Sequence, residues 1–308
     1  MSRLARWLIP LPSRSYRRGV HPVVRTADPT AAWEIARPSR VTVLPGVEMA
    51  GFRIRGDRPI DLRVIPHPAV TVALDFGDRP FDIRGAAGRM RSESLAAGLG
   101  FRAFQVCVEG ADCVQIRLSP LVAHPVLGLP LAELRGSVVA LDDLWGRAVP
   151  RLRERLHQAR TWPERFALID TELMTRFRAG PGVDPEVAWA WRRIVAGHGQ
   201  TRVSELAGLL GWSRQRTWSR FGSQTGLTPK RAAMLVRFDR AVHRLVRGDA
   251  PAQVAVDGGY ADQSHLHHDV RAFSGTTPAG AAHEPWLAAD DRAWPAPGGT
   301  EWPPTVRE

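Results

Sequence analysis

One spacing occurs twice near the C-terminus and restricts the fold more than any other feature of the chain. Phe221 precedes Gly226 by five residues, and Val270 precedes Gly275 by five. Each Gly leads closely into a Thr-Pro pair, Thr228-Pro229 in one case and Thr277-Pro278 in the other. Upstream of each copy a short apolar stripe ends at a glycine: Leu206, Ala207 and Leu210 before Gly211, and Val254 and Ala255 before Gly259. Ser213 and Asp262 then stand where the next helix needs an N-cap. The repeat predicts two helix-turn-helix units, joined by a helix that starts at Thr228-Pro229 and runs to about Arg247 before Gly248-Asp249.

The second helix of each unit has two chemically distinct sides. At 100° per residue, Thr217, Arg220 and Phe221 fall on one side of the first. Gln215, Trp218, Ser219 and Gly222 fall on the other, with Arg214 and Arg216 on the flanks. In the second unit Leu266, Val270 and Phe273 oppose Ser264, His267, His268 and Arg271. A hydrogen-bonding face between flanking Arg residues suits a major groove, where polar side chains read base edges and cations meet phosphates. The candidate DNA contacts are Arg214, Gln215, Arg216, Trp218, Ser219, Gln263, Ser264, His267, His268 and Arg271. Arg220 is read as an interhelix or phosphate contact, and Trp212 as a core residue.

These residues resemble the DNA-binding domain of the AraC/XylS family of bacterial transcription regulators. The likeness rests on Ser204-Glu205-Leu206-Ala207, Gly211-Trp212-Ser213, Phe221, Gly226-Leu227-Thr228-Pro229, Gly259 through Leu266, Phe273, Gly275 and Thr277-Pro278. It covers about a third of the chain, from Pro185 to Pro278. It implies two recognition helices on one face, spaced for successive major-groove segments. Three positions depart from the family: Thr217 where Leu is usual, His268 where Arg is common, and Val270 where Phe is common. They imply weaker packing of the first recognition helix and a smaller DNA contribution from the second. Ala32 through Pro38 and Asp75-Phe76-Gly77-Asp78 are similar to a cupin-like sensor domain found in some members.

Upstream, short β-branched and apolar runs alternate with Gly, Pro and Asp turns. Strands are expected at Val41–Leu44, 49–55, 62–65, 70–76, 101–108 and 113–118, with Glu109-Gly110-Ala111-Asp112 as a hairpin signal. They point to a small barrel or sandwich. A helix is expected over residues 141–158, bent or divided at Pro150, and another from Pro163. Ala179-Gly180-Pro181-Gly182 marks a boundary before a helix at Pro185–Ala196. The expected class is therefore α+β multidomain. A basic disordered arm spans 1–30, a β-rich cupin-like sensor or dimerisation domain 31–140, a helical connector 141–180, an all-α DNA-binding domain 183–280 and a disordered tail 281–308.

Charge supports the same division. Six Arg face one Asp in residues 1–30, and 13 Lys/Arg face seven Asp/Glu in 186–280, within a net charge of +11. An anionic partner follows. The two cysteines, Cys107 and Cys113, fit a reducing cytoplasm and read as buried structural residues. Between His21 and His157 the only histidines are His67 and His124, with no His-x-His pair, and His67 lies between two prolines, so no metal site, cofactor or catalytic residue is assigned. The expected partners are double-stranded DNA, a small-molecule effector and RNA polymerase, with the chain a monomer or homodimer away from membranes. An architectural DNA binder without ligand sensing is the alternative, and a cupin-type enzyme fused to a DNA-binding domain is a weaker one.

Overall fold

The computed structural model describes residues 25–27, 33–39, 42–55, 59–85, 88–281 and 285–294. Most of the basic arm, residues 1–24, lies outside them, whereas Arg25–Ala27 forms a short strand. Two antiparallel sheets make up the N-terminal part. The larger contains β1 (Arg25–Ala27), β2 (Trp33–Ala36), β3 (Val47–Ile54), β10 (Ala111–Leu118), β5 (Val70–Asp75), β8 (Ser94–Ala97) and β11 (Val138–Ala140), in that order. The smaller runs β4 (Ile60–Val64), β9 (Phe104–Val108), β6 (Phe81–Gly85) and β7 (Gly88–Ser92).

Alternation along β3, β5 and β10 divides the residues between two faces. Ala50, Phe52, Ile54 and Cys113 point toward Leu62, Val64, Ile83 and Val106 of the small sheet. Val47, Met49, Val70, Val72, Leu74, Val114, Ile116 and Leu118 point the other way, into a core shared with the helices. The large sheet is thus a middle layer. Its outer cover comes from α1 (Pro120–Leu127), a 3-10 turn (Leu131–Leu134), α2 (Asp142–Trp145), α3 (Ala148–Gln158) and α4 (Trp162–Ala179).

Three expectations change here. Thr42–Gly46 is a bend and turn, not a strand: Thr42 Oγ1 donates to the carbonyls of Leu44 and Val47 at 3.1 and 2.8 Å, and Val43 is exposed. Glu109-Gly110 does not close a hairpin. Strand β9 pairs with β4 and β6 while β10 pairs with β3 and β5, so this turn carries the chain from one sheet to the other. The helix over 141–158 divides at Gly146-Arg147, not at Pro150, because Gly146 takes positive φ and Pro150 fits within the first turn of α3, where a missing N–H costs nothing. The start of α4 agrees with expectation: Thr161 and Glu164 form a reciprocal capping box across Trp162 and Pro163, which puts Pro163 in the first turn.

The C-terminal part is all helical: α5 (Pro185–Ala196), α6 (Val203–Leu210), α7 (Arg214–Thr225), α8 (Pro229–Val246), α9 (Pro251–Asp257), α10 (Gln263–Ser274), α11 (Pro278–Ala281) and α12 (Pro285–Ala293). The last helix corrects the expected disordered tail. Leu287, Ala289 and Ala293 are buried, so this part of the tail has an apolar face and a place to put it. Residues 295–308 lie outside the described residues.

Candidate nucleic-acid interface

Each helix-turn-helix is built from a reversal and a cap. Gly211 and Gly259 adopt φ of 64° and 67°, a left-handed conformation that costs glycine least. The chain then returns through Trp212 N–H to the Ala207 carbonyl at 3.2 Å, and through Tyr260 N–H to the Ala255 carbonyl at 3.0 Å. Ser213 Oγ accepts from Arg216 N–H at 3.2 Å, and Asp262 Oδ1 accepts from His265 N–H at 2.7 Å. Such caps contribute about 1 kcal/mol each. Thr228 caps α8 in the same way, with Pro229 in its first turn.

In α7 the buried side is Thr217, Phe221, Gly222, Gln224 and Thr225. Phe221 meets Trp191 of α5 with ring centroids 6.4 Å apart. Thr217 is only 1% exposed, and its hydroxyl donates to the Ser213 carbonyl at 3.0 Å, so the small polar residue is satisfied within the packed face. Gly222 belongs to this buried side, which corrects its expected position. Arg220 makes paired bonds of 2.7 and 2.8 Å to Asp184 at the start of α5, the interhelix role. Arg214, Gln215, Arg216, Trp218 and Ser219 are all exposed, Trp218 at 50%. Trp212 is half-buried and carries the Arg216 guanidinium 4.7 Å above its ring.

In α10 the buried side is Leu266, Asp269, Val270, Phe273 and Ser274. Gln263, Ser264, His267, His268 and Arg271 are exposed. His265 is half-buried, edge-on to Tyr260 at 5.3 Å, which separates it from its two histidine neighbours. The sequence reading missed the Arg237–Asp269–Tyr260 cluster that seats α10 on α8. Asp269 pairs with Arg237 at 3.3 Å, and Arg237 lies 4.5 Å over the Tyr260 ring. Burial pushes the Tyr260 hydroxyl up to about 12. The missed signal was an acid on the apolar side of α10, which implies a buried basic partner.

The ten predicted contacts therefore lie on the outward sides of two helices whose opposite sides are packed. Both units also touch the β-rich part. Arg135 Nε donates to the Gly226 carbonyl at 2.6 Å, and Ala103 N–H donates to the Phe273 carbonyl at 3.0 Å. Phe273 stacks on Phe238 of α8 at 4.5 Å and meets Phe101 at 5.2 Å. Beside this contact an open cleft of about 500 Å³ is lined by Arg63, Arg84, Arg102, Phe104 and Phe273, among others. Burial raises the Cys113 thiol well above its ordinary value, and burial with Asp61 raises that of Cys107, so neither is activated. No helix among the described residues is long and apolar enough to cross a membrane.

Comparison with known proteins assigns residues 206–282 to the helix-turn-helix domain family. An uncharacterised HTH-type transcriptional regulator of Bacillus subtilis strain 168, YbfI, is 33% identical over 64 residues, 21% of this chain and 23% of that protein. The chain thus spans about a quarter of that relative's length. Among solved structures, ToxT from Vibrio cholerae O395 aligns with 77% of this chain and 98% of its own at 10% identity and a TM-score of 0.46. The DNA-binding domain of AdpA, a global transcriptional factor solved with a target DNA, aligns with 36% of this chain and 95% of its own at 28% identity and a TM-score of 0.28.

Proposed function

We propose that this chain, which carries an AraC-type helix-turn-helix domain behind a β-rich N-terminal part, is a sequence-specific DNA-binding transcription regulator. The observation that supports it most is the pair of capped helices α7 and α10. Each has its apolar side buried and a polar, acid-free outward side, and both are carried by the single helix α8. Gln215 and Ser264 read base edges. Arg214, Arg216 and Arg271 neutralise phosphates, and Trp218 gives the first helix an apolar surface for a thymine methyl. Ser219, Gln263, His267 and His268 complete the two surfaces. The first helix contributes more affinity, because two Arg side chains flank its reading side, whereas the second presents a single Arg beside His267 and His268.

The N-terminal part controls the reader by shifting its position or availability. The contacts of Arg135 with Gly226, and of Ala103 with Phe273, give that control a path to each unit separately. No catalytic step is assigned, and RNA polymerase is the downstream partner in this reading. The test is affinity for a selected duplex and for a scrambled one at several salt concentrations, with the full chain. Specific binding is expected to exceed non-specific binding by about 10³-fold or more. Equal affinity for both duplexes with a steep salt slope would leave only non-specific binding.

A further inference from the structure

The outer face of the small sheet carries a row of cations that leads to the end of the second reader. Leu62 and Val64 of β4, Ile83 of β6, Val106 of β9 and Met90 of β7 turn inward. Alternation therefore puts Arg63, Gln105, Arg84 and Arg89 outward, and the strand pairings set them side by side across the sheet. Asp82, in the next row, is taken up by Arg89, whose Nε donates to both carboxylate oxygens at 2.8 and 3.1 Å. It stands 3.9 Å from Arg84, whose side chain is 49% exposed. Arg63 closes the row against α10: its Nη1 donates to the Ser274 carbonyl at 3.3 Å.

Arg102 joins this row from the loop before β9. Its neighbours on either side are fixed to α10, Phe101 by packing on Phe273 and Ala103 by its N–H bond to the Phe273 carbonyl. Arg102 itself is exposed and makes no ion pair among the described residues. With Arg63 and Arg84 it lines the open cleft of about 500 Å³. The other wall of the cleft is the end of α10, from Ala272 to Gly275, and among the described residues no acid lines it. Ala272 lies four residues beyond His268 and eight beyond Ser264, and all three are exposed, so they form one outward stripe. The stripe that faces base edges thus runs into the cleft about 12 Å along the helix axis from Ser264. An open, acid-free trough lined by Arg suits a polyanion that passes through it, whereas a small ligand needs walls that enclose most of its surface.

We propose that the sandwich itself holds DNA: the sugar-phosphate backbone flanking the α10 half-site lies in this cleft, and Arg84 and Arg102 each neutralise one phosphate. This rests on reading α10 as a DNA reader. Arg63 is the wall that keeps the small sheet against α10. The contact carries no sequence information, so it adds affinity and salt dependence and leaves the preferred sequence unchanged. It also gives the N-terminal part a direct hold on DNA, since displacing the sandwich from α10 removes two phosphate contacts without moving either reader.

The test is the salt dependence of affinity of the full chain for a selected duplex, with Arg84→Gln, Arg102→Gln and the double variant. The slope of log affinity against log salt should shrink by about 0.9 per Arg removed, and affinity at about 50 mM salt by about tenfold each. Arg102→Lys should keep the slope, because the contact is electrostatic. Arg151→Gln, which removes an exposed Arg on α3 beyond the large sheet, should keep it too. The recovered motif should be the same in every one of these variants. Ethylation of phosphates beside the α10 half should impair binding by wild type and not by the double variant. Inorganic phosphate should compete no better than chloride at equal ionic strength. Ser264→Ala separates this contact from the reading beneath it, since it should blur the α10 half of the motif and leave the slope alone. If it does so while the double variant keeps the full slope, the cleft contact is overturned and the reader stands. Interference confined to the α7 half, or selective competition by inorganic phosphate, would overturn the contact equally. A Ser264→Ala that blurs neither half would overturn the reading of α10 and the cleft contact with it.

Discussion

Replacing Asp269 with alanine tests how the second reader is held. The Asp269 side chain is 8% exposed and that of Arg237 17%, with 3.3 Å between them. Removing one partner of a buried pair costs about 3–5 kcal/mol when the other is left without compensation. Here Arg237 keeps some solvent and its contact with the Tyr260 ring. The loss should therefore fall to about 2–3 kcal/mol, since exposure screens the stranded charge. Asp184→Ala, which breaks the Arg220 pair beside the first reader, is the control. Arg220 is 52% exposed, so that loss should stay under about 1 kcal/mol. Urea unfolding of both variants measures the stabilities, and footprinting on a selected duplex measures the consequence. Asp269→Ala should lose protection in the half contacted by α10 while the α7 half persists. Asp184→Ala should keep both. If Asp269→Ala unfolds within about 0.5 kcal/mol of wild type with a whole footprint, the cluster does not seat α10 and the reasoning fails.

Three further outcomes are expected. Gln215→Ala should weaken specific binding by about 1–3 kcal/mol, and replacement of the 82% exposed His268 by Ala by less than about 1; affinities measured in the opposite order would reverse the ranking of the two readers. Gly226→Ala should destabilise by at least about 1–2 kcal/mol, because φ is +81° and the new Cβ would stand 2.9 Å from the Leu131 carbonyl oxygen, where α7 docks on the 3-10 turn; unchanged denaturant stability would show that this docking is soft. Burial opposes charge on His243, but Asp239 and Asp290 outweigh it and hold the ring at about 9. The folded state then keeps a proton that the unfolded state releases near 6.5, so this stabilisation is complete below about pH 6.5 and is lost as pH rises through about 9, by up to about 1.4 kcal/mol per unit. In His243→Gln that fall in urea midpoint between pH 6.5 and 9 should flatten, and an identical fall in the variant would assign it elsewhere.

The readers were legible because their determinants are local. A capping side chain, a left-handed glycine and a first-turn proline each act within four residues, so Ser213, Gly211 and Thr228-Pro229 announce their structure in the sequence. Outward and inward sides followed from helical periodicity, except at Gly222, where a glycine gives no polarity to read. The sandwich was legible as strands but not as pairings. Glu109-Gly110 has the chemistry of a hairpin turn, yet the sheet that each flanking strand joins is decided by distant partners such as Phe52 for Cys113 and Leu62 for Val106. α12 was missed for a similar reason. Its sequence is Ala-rich and acidic, and only the sandwich core and the cations Arg117 and His243 give Ala289, Asp290 and Ala293 somewhere to go.

The most direct measurement of the central claim is selection of bound sequences from random DNA by the full chain, repeated with Gln215→Ala and with Ser264→Ala. Two readers on one linking helix should yield a two-part motif with half-sites about one helical turn apart. Gln215→Ala should then blur one half only, and Ser264→Ala the other. Recovery of no motif, or loss of preference across both halves from either substitution, would contradict the assignment of α7 and α10 as two separate readers.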